Sequence, residues 1–201
     1  LKNNYKTIKE AFHSDEMNDI RNQFMKGERP TACNNCWKKE DKNIESMRIS
    51  VNSKFKDIIP QLDYKKPTIK YLDIKYDNKC NLACRMCSFG SSDQHQKEMI
   101  IAVEDNERLP NHMDYALYPK DSNYKRRMLK RLNKKNDKPF LEEDVIKSLP
   151  NLVMLKVTGG EPTVNHKFLN AIDYAIEHDY AKNIKLDITT NGTKFNKTFL
   201  E

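Results

Sequence analysis

Three thiols fall within eight residues, in Cys80-Asn81-Leu82-Ala83-Cys84-Arg85-Met86-Cys87. Spaced four and three apart, they can wrap one compact metal centre from a single loop. Three thiolates do not complete a four-ligand structural zinc site. They can hold three irons of a cubane cluster and leave the fourth iron open to a chelating ligand. The same triad also suits part of a zinc site completed from elsewhere. A second pair lies in Cys33-Asn34-Asn35-Cys36-Trp37. Two cysteines are half a site: half a zinc ribbon, a redox CxxC, or part of a further metal centre. The chain has five cysteines in all, an odd and tightly clustered set. That argues against a disulfide framework and for metal in a reducing compartment.

Two further motifs carry chemistry. In Gly159-Gly160-Glu161-Pro162 the glycines let a ligand approach the backbone, Pro162 stiffens the turn, and Glu161 supplies an acceptor for an ammonium group. By itself this is also an ordinary strand-to-helix turn. Thr190 and Asn191 open a similar turn, Asn191-Gly192-Thr193.

The pattern predicts the elements that position these motifs. Residues 68–76 read as a strand running into the cysteine loop. Residues 152–158 are mostly apolar, as a strand buried on both faces should be, and end at the glycine pair. Residues 184–190 form a third strand. Between them, 92–107 and 141–148 read as helices, and 166–180 places Phe168, Ile172 and Ile176 on one helical face. Strand and helix alternate, with unusual residues at the strands' carboxyl ends, where α/β sheets and barrels bind ligands. Three strands are too few to close a barrel. The expected fold is therefore α/β, a partial TIM-like barrel over 67–201.

A small, mostly helical cysteine-containing segment, 1–66, is expected before it. There, residues 14–26 read as a helix with Ser14 as N-cap, Asp15 and Glu16 in the first turn, and Met17, Ile20 and Phe24 on one face. Gly27 and Pro30 stop it. Residues 33–37 read as a short thiol turn in which Trp37 caps the segment's core. Residues 38–66 are polar, with an apolar patch at Phe55, Ile58 and Ile59 and no clear period. Pro60 and Pro67 bracket a linker. His13, His95, His112, His166 and His178 are polar-flanked and expected at the surface.

The formal net charge is +7 and the pI about 9.0. Residues 120–138 hold nine Lys/Arg and two Asp, also +7, so the rest of the chain is neutral overall. This basic tract sits in an insertion at about 105–140. Tyr124, Met128 and Leu132 recur at helical spacing within it. It reads as a solvated amphipathic helix, or as a contact for nucleic acid, an acidic peptide or a partner. The longest apolar run, Met99 to Val103, is five residues, against about 18 for a membrane-spanning helix. No charged-then-apolar leader opens the chain, so the expected location is cytoplasmic. Leu1 at the start, and an end soon after the third strand, suggest a fragment of a longer protein.

In combination, CNLACRMC, TGGEP and TTNGT resemble the radical S-adenosylmethionine enzymes. In that family CxxxCxxC binds a 4Fe-4S cluster, and the methionine part of S-adenosylmethionine chelates the open iron. The resemblance implies Cys80, Cys84 and Cys87 as cluster ligands. It implies Gly159, Gly160, Glu161 and Pro162 as the loop that touches the methionine ammonium. The residue before the third cysteine is usually aromatic and packs near adenine. Here it is Met86, a departure, although an apolar and polarisable side chain still covers a purine face. Thr190 and Asn191 fall where the third strand lines the cofactor pocket. The implied reaction is reductive cleavage of S-adenosylmethionine to a 5′-deoxyadenosyl radical that abstracts hydrogen from a substrate. An electron donor such as flavodoxin or ferredoxin is implied. The cofactor does this chemistry, so no catalytic side chain is named.

Upstream, the stretch from Gly27 to Cys36, followed by Glu40, Ser46, Arg48 and Asn52, is similar to the twitch or SPASM-like auxiliary segment of such enzymes. This implies that Cys33 and Cys36 help to bind a second iron–sulfur cluster, and it hints at a peptide substrate, with a small molecule as the other option. Two other readings compete. One is a zinc-binding nucleic-acid module, which the two-plus-three cysteine grouping, the buried strands and GGEP do not favour. The other is a family member that binds a cluster without turnover.

Overall fold

The structure, a computed structural model, describes residues 5–84, 86–104, 126, 127, 129, 130 and 140–194. The chain divides into two compact units, Leu1–Ile69 and Lys70–Glu201.

The first unit is helical. Helix α1 spans Ile8–Phe12 and α2 spans Asp15–Met25. The Ser14 hydroxyl accepts the Met17 N–H at 3.3 Å, satisfying one of the donors that a helix start leaves unpaired. Gly27, at φ +74°, ends the run. The predicted turn at 33–37 is instead helical. A 3-10 turn, Thr31–Cys33, runs into α3, Asn34–Glu40, so Cys33 and Cys36 lie about one turn apart. Burial of Trp37 against this short element outweighs the weak helix propensity of the two asparagines. Trp37 is the unit's core residue, and its indole N–H donates to the Pro30 carbonyl at 3.0 Å. Helix α4, Met47–Lys54, occupies part of the stretch that shows no period. Its Met47 and Ile49 point outward, 72% and 42% exposed, so there is no buried stripe to read.

The second unit is built on a three-stranded parallel sheet of order β1-β2-β3. β1 is Tyr71–Lys75, β2 is Met154–Thr158 and β3 is Lys185–Ile188. Tyr71 pairs with Met154, and Met154 with Lys185. The central strand is the apolar one, with Met154, Leu155 and Val157 all buried, as a strand covered on both faces requires. The sheet is not closed into a barrel. Helices α5 (Asp93–Glu104), α6 (Phe140–Ser148) and α7 (His166–Glu177) complete the unit. The Asn165 side chain caps α7, accepting from the N–H groups of Lys167 and Phe168 at 3.0 and 3.2 Å. The buried stripe of α7 is Phe168, Ala171 and Ala175, not the expected Phe168, Ile172 and Ile176. Ile176 is 61% exposed, because the small alanines take the covered face.

The basic tract lies outside the described residues except at 126, 127, 129 and 130, which are helical. Tyr124, Met128, Leu132 and His112 also lie outside them. Among the described residues, no helix is long and apolar enough to cross a membrane.

Candidate functional site

The cysteine loop leaves β1 through Tyr76-Asp77-Asn78-Lys79, and the first turn of α5 holds it in place. The Cys80 N–H donates to Asp93 Oδ1 at 2.9 Å. The Ser92 hydroxyl donates to the Leu82 carbonyl at 2.8 Å, and His95 Nε2 lies 2.6 Å from the Cys84 carbonyl. The Cys87 N–H donates to that same carbonyl at 2.9 Å. Asn78 closes the base, its amide donating to the Phe89 carbonyl and to Gln96 Oε1. Ser92, His95 and Asn78 are all buried. His95 thus departs from the surface position expected of the histidines, whereas His13, His166 and His178 are exposed. It is the principal site residue that sequence reasoning missed. Its neighbours Gln94 and Gln96 are polar, so nothing local marks it as buried.

The ends of the other two strands join the same network. The Glu161 N–H donates to the Lys79 carbonyl at 2.7 Å. Gly160 sits at φ +50°, and a Cβ there would lie 2.1 Å from that carbonyl oxygen. Only glycine allows the two backbones to pass so closely. Gly159, at φ +79°, lies against the Lys75 side chain. From β3, the Asn191 amide donates to Asn81 Oδ1 at 3.1 Å and reaches Cys80 Sγ at 3.7 Å, while Asn81 donates to Thr193 Oγ1 at 2.7 Å.

Glu161 ties these ends together. Its carboxylate is 1% exposed and accepts four hydrogen bonds. They come from the N–H and hydroxyl of Thr163 at 3.1 and 2.7 Å, the Thr190 hydroxyl at 2.7 Å and the Asn191 N–H at 2.7 Å. Burial works against its charge, but these donors outweigh burial and hold the carboxyl below its usual range. Three of them fall on Oε1 and one on Oε2, so Oε2 keeps an acceptor site.

Cys80, Cys84 and Cys87 are half-buried free thiols. Burial pushes the Cys87 thiol up, and the charges of Cys84 and Cys80 add to that, against a smaller opposing effect of Lys75. The thiols therefore feel one another, and drawing all of them together as thiolates calls for a cation between them. Among the described residues, no group of three His, Cys, Asp or Glu is gathered closely enough to hold a metal ion. The donor set itself is soft and thiol-only, which suits iron–sulfur or zinc chemistry over hard cations. Met86 is 93% exposed.

No protein-family model, curated protein or solved structure matches the chain. What the site can do must follow from its own residues.

In the first unit, the residues that trail the CxxC pair gather around Trp37. Arg48 grips Glu40 with Nε at 3.1 Å and a second, shorter bond from Nη2, and its guanidinium stacks 4.5 Å over the Trp37 ring. The buried Ser46 hydroxyl donates to the same carboxylate. Hydrogen bonds from Arg48 and then Ser46 hold the Glu40 carboxyl below its usual range. The Glu40 bond chiefly raises the Arg48 pKa, with Cys36 and Cys33 contributing to the rise. A fixed cation thus lies within the field of the two thiols.

The His95 brace has a measurable consequence. His95→Ala removes the bond to the Cys84 carbonyl, worth about 1 kcal/mol, together with the ring's bond to Glu98, so iodoacetamide should alkylate Cys84 at least about fivefold faster in the variant. His95→Gln, which keeps a donor, should fall between the two. An unchanged rate would show that α5 does not restrain the loop.

Proposed function

We propose that the second unit is the cofactor platform of a radical S-adenosylmethionine enzyme, its three strands being part of a TIM-like β/α barrel. The observation that carries this reading is convergence. The three motifs singled out for their chemistry end on three adjacent parallel strands and are hydrogen-bonded into one network. That is the carboxyl-end placement at which parallel α/β sheets bind ligands.

In this reading Cys80, Cys84 and Cys87 hold three irons of a 4Fe-4S cluster and leave the fourth for S-adenosylmethionine. Held there, the cluster and S-adenosylmethionine would supply reductive radical chemistry able to take a hydrogen from a substrate. The chain's part is to position and to shield. Asp93, Ser92 and His95 fix the loop that carries the thiols. Asn191 supplies an N–H beside Cys80 Sγ, a bond that favours the thiolate. Glu161 Oε2, which accepts only the Asn191 N–H, keeps a site for the methionine ammonium, and the main-chain oxygens of the Gly159–Gly160 turn would be further acceptors for it. Met86, exposed and next to Cys87 in sequence, would cover an adenine ring. An electron donor of the flavodoxin or ferredoxin kind supplies the electron. In the first unit, Cys33 and Cys36, with Arg48 alongside, provide two ligands toward a second cluster.

The test is iron, sulfide and zinc content after anaerobic purification, alongside a Cys80→Ala, Cys84→Ala, Cys87→Ala triple variant. The expected result is about four irons with matching sulfide that depend on the triad and are lost in the variant. Any cluster that survives in the variant belongs to Cys33 and Cys36. Stoichiometric zinc with no reconstitutable iron would overturn the reading and return the chain to the zinc-module class.

A further inference from the structure

We propose that the first unit carries a groove for a linear peptide segment in which a large apolar side chain is followed by carboxylates. Two cavities of about 610 and 590 Å³ share Arg21, Asn22, Met25, Tyr64 and Pro67 and so form one continuous groove. Each has the size of a ligand pocket, roughly 300–1,000 Å³. One end is apolar, floored by Phe12, Phe24, Ile59 and Leu62. Phe24, Met25 and Tyr64 are 40%, 63% and 56% exposed, so large apolar surface is concentrated here and not scattered. The other end is cationic, lined by His13, Arg21 and Lys65.

Arg21 sits at the join. Its Nη1 donates to Asn18 Oδ1 at 2.8 Å, and its guanidinium stacks 4.2 Å over the Phe12 ring. Among the described residues no carboxylate pairs with it, although it is half-buried and desolvation lowers its pKa. Arginine normally meets planar acceptors with a forked set of donors, and most of that fork is unused here. The carboxylate that lines the groove, Asp63, is turned to its own loop, where Oδ1 accepts the Lys65 and Lys66 N–H groups at 2.8 and 3.2 Å. The charge complement of the groove is therefore an anion, set next to an apolar body. Asn22 and Asn52 line its walls, each with an amide donor and acceptor suited to a peptide main chain. A peptide spans both compartments, which a single aromatic acid does not. This inference is independent of any cluster.

The experiment is fluorescence anisotropy on the full chain with fluorescein-labelled Gly-Phe-Leu-Asp-Glu-Gly. Its amide counterpart Gly-Phe-Leu-Asn-Gln-Gly, its alanine counterpart Gly-Ala-Ala-Asp-Glu-Gly and a labelled oligothymidylate serve as comparisons. The acidic aromatic peptide should bind, and both counterparts should bind about tenfold more weakly, the scale of one charge-assisted contact. Arg21→Gln should erase the preference for acid over amide without changing the circular dichroism. Tyr64→Ala should weaken both peptides. Three results would overturn the proposal: no saturable binding at millimolar peptide, tighter binding of the oligothymidylate, or loss of binding in Arg126→Gln/Arg127→Gln while Arg21→Gln binds normally.

Discussion

Gly160→Ala will lower the stability of the second unit by roughly 3 kcal/mol, and it will do so by forcing two strand ends apart. The added Cβ would meet the Lys79 carbonyl oxygen at 2.1 Å, its carbon at 2.9 Å and the Asn78 carbonyl carbon at 3.0 Å. All are backbone atoms, so no side chain can swing aside. The move that relieves the clash also breaks the bond from the Glu161 N–H to the Lys79 carbonyl. The other glycines supply the controls. At Gly159 the new atom would meet Lys75 side-chain carbons, the nearest at 2.3 Å, and relief there means moving that side chain off the Gly90 carbonyl it donates to and not displacing backbone. At Gly192, φ +73°, the space is open and only the left-handed backbone strain of about 1 kcal/mol remains. Urea denaturation should therefore rank the losses Gly160 > Gly159 > Gly192. Equal losses at the three positions would mean that strain alone, and not the close approach, sets the requirement for glycine.

Glu161→Gln will cost roughly 2–3 kcal/mol at neutral pH and will flatten the acid limb of the stability profile. With its oxygen at the Oε1 position the amide keeps the Thr163 and Thr190 bonds, but its NH₂ meets the Asn191 N–H donor to donor. The Asn191 N–H is left without this partner, and an uncharged oxygen accepts the remaining bonds more weakly. The pH dependence follows from the direction of the shift. The folded-state carboxyl is held below its usual range, so its contribution is complete above the ordinary glutamate pKa, about 4.3. It is lost as pH falls through the depressed folded value, because the unfolded chain then takes up the proton first. The wild type should lose stability across that window, and the variant, with nothing to titrate there, should lose less. Parallel acid limbs for the two proteins would show that Glu161 is not ionised in the folded state.

The behaviour of individual residues shows how far the sequence could be read. The parallel sheet and its motif-bearing ends were legible because the central strand is mostly apolar and the glycine pair and the cysteines are rare, position-specific signals. The cap at Ser14 was legible for a similar reason, since a hydroxyl before an acidic first turn has one physical use. Helix α4 was not, because Met47 and Ile49 face outward and its local pattern reports no burial. The inner face of α7 was misread because alanines, neutral in a hydrophobicity pattern, are the residues that allow close packing. The burial of His95 and the hydrogen-bond partners of Glu161 were beyond reach altogether. Both depend on which distant backbone groups arrive beside them, and spacing along the chain carries no record of that.

The long sequence separations within the cysteine loop's network impose an order in time. The Asn81 amide and Thr193 hydroxyl that meet at 2.7 Å are 112 residues apart, and Asn191 lies 111 residues beyond the Cys80 sulfur it reaches. At a synthesis rate of about 5–20 residues per second, the thiols leave the ribosome roughly 5–20 s before their partners on β3. For that interval they belong to an open chain, and closing so long a loop is an entropic cost that no local contact offsets. A nascent chain would thus expose three closely spaced thiols with none of the contacts from β3 in place. The geometry of the cysteine loop is then a property of the finished fold, complete only once β3 has arrived.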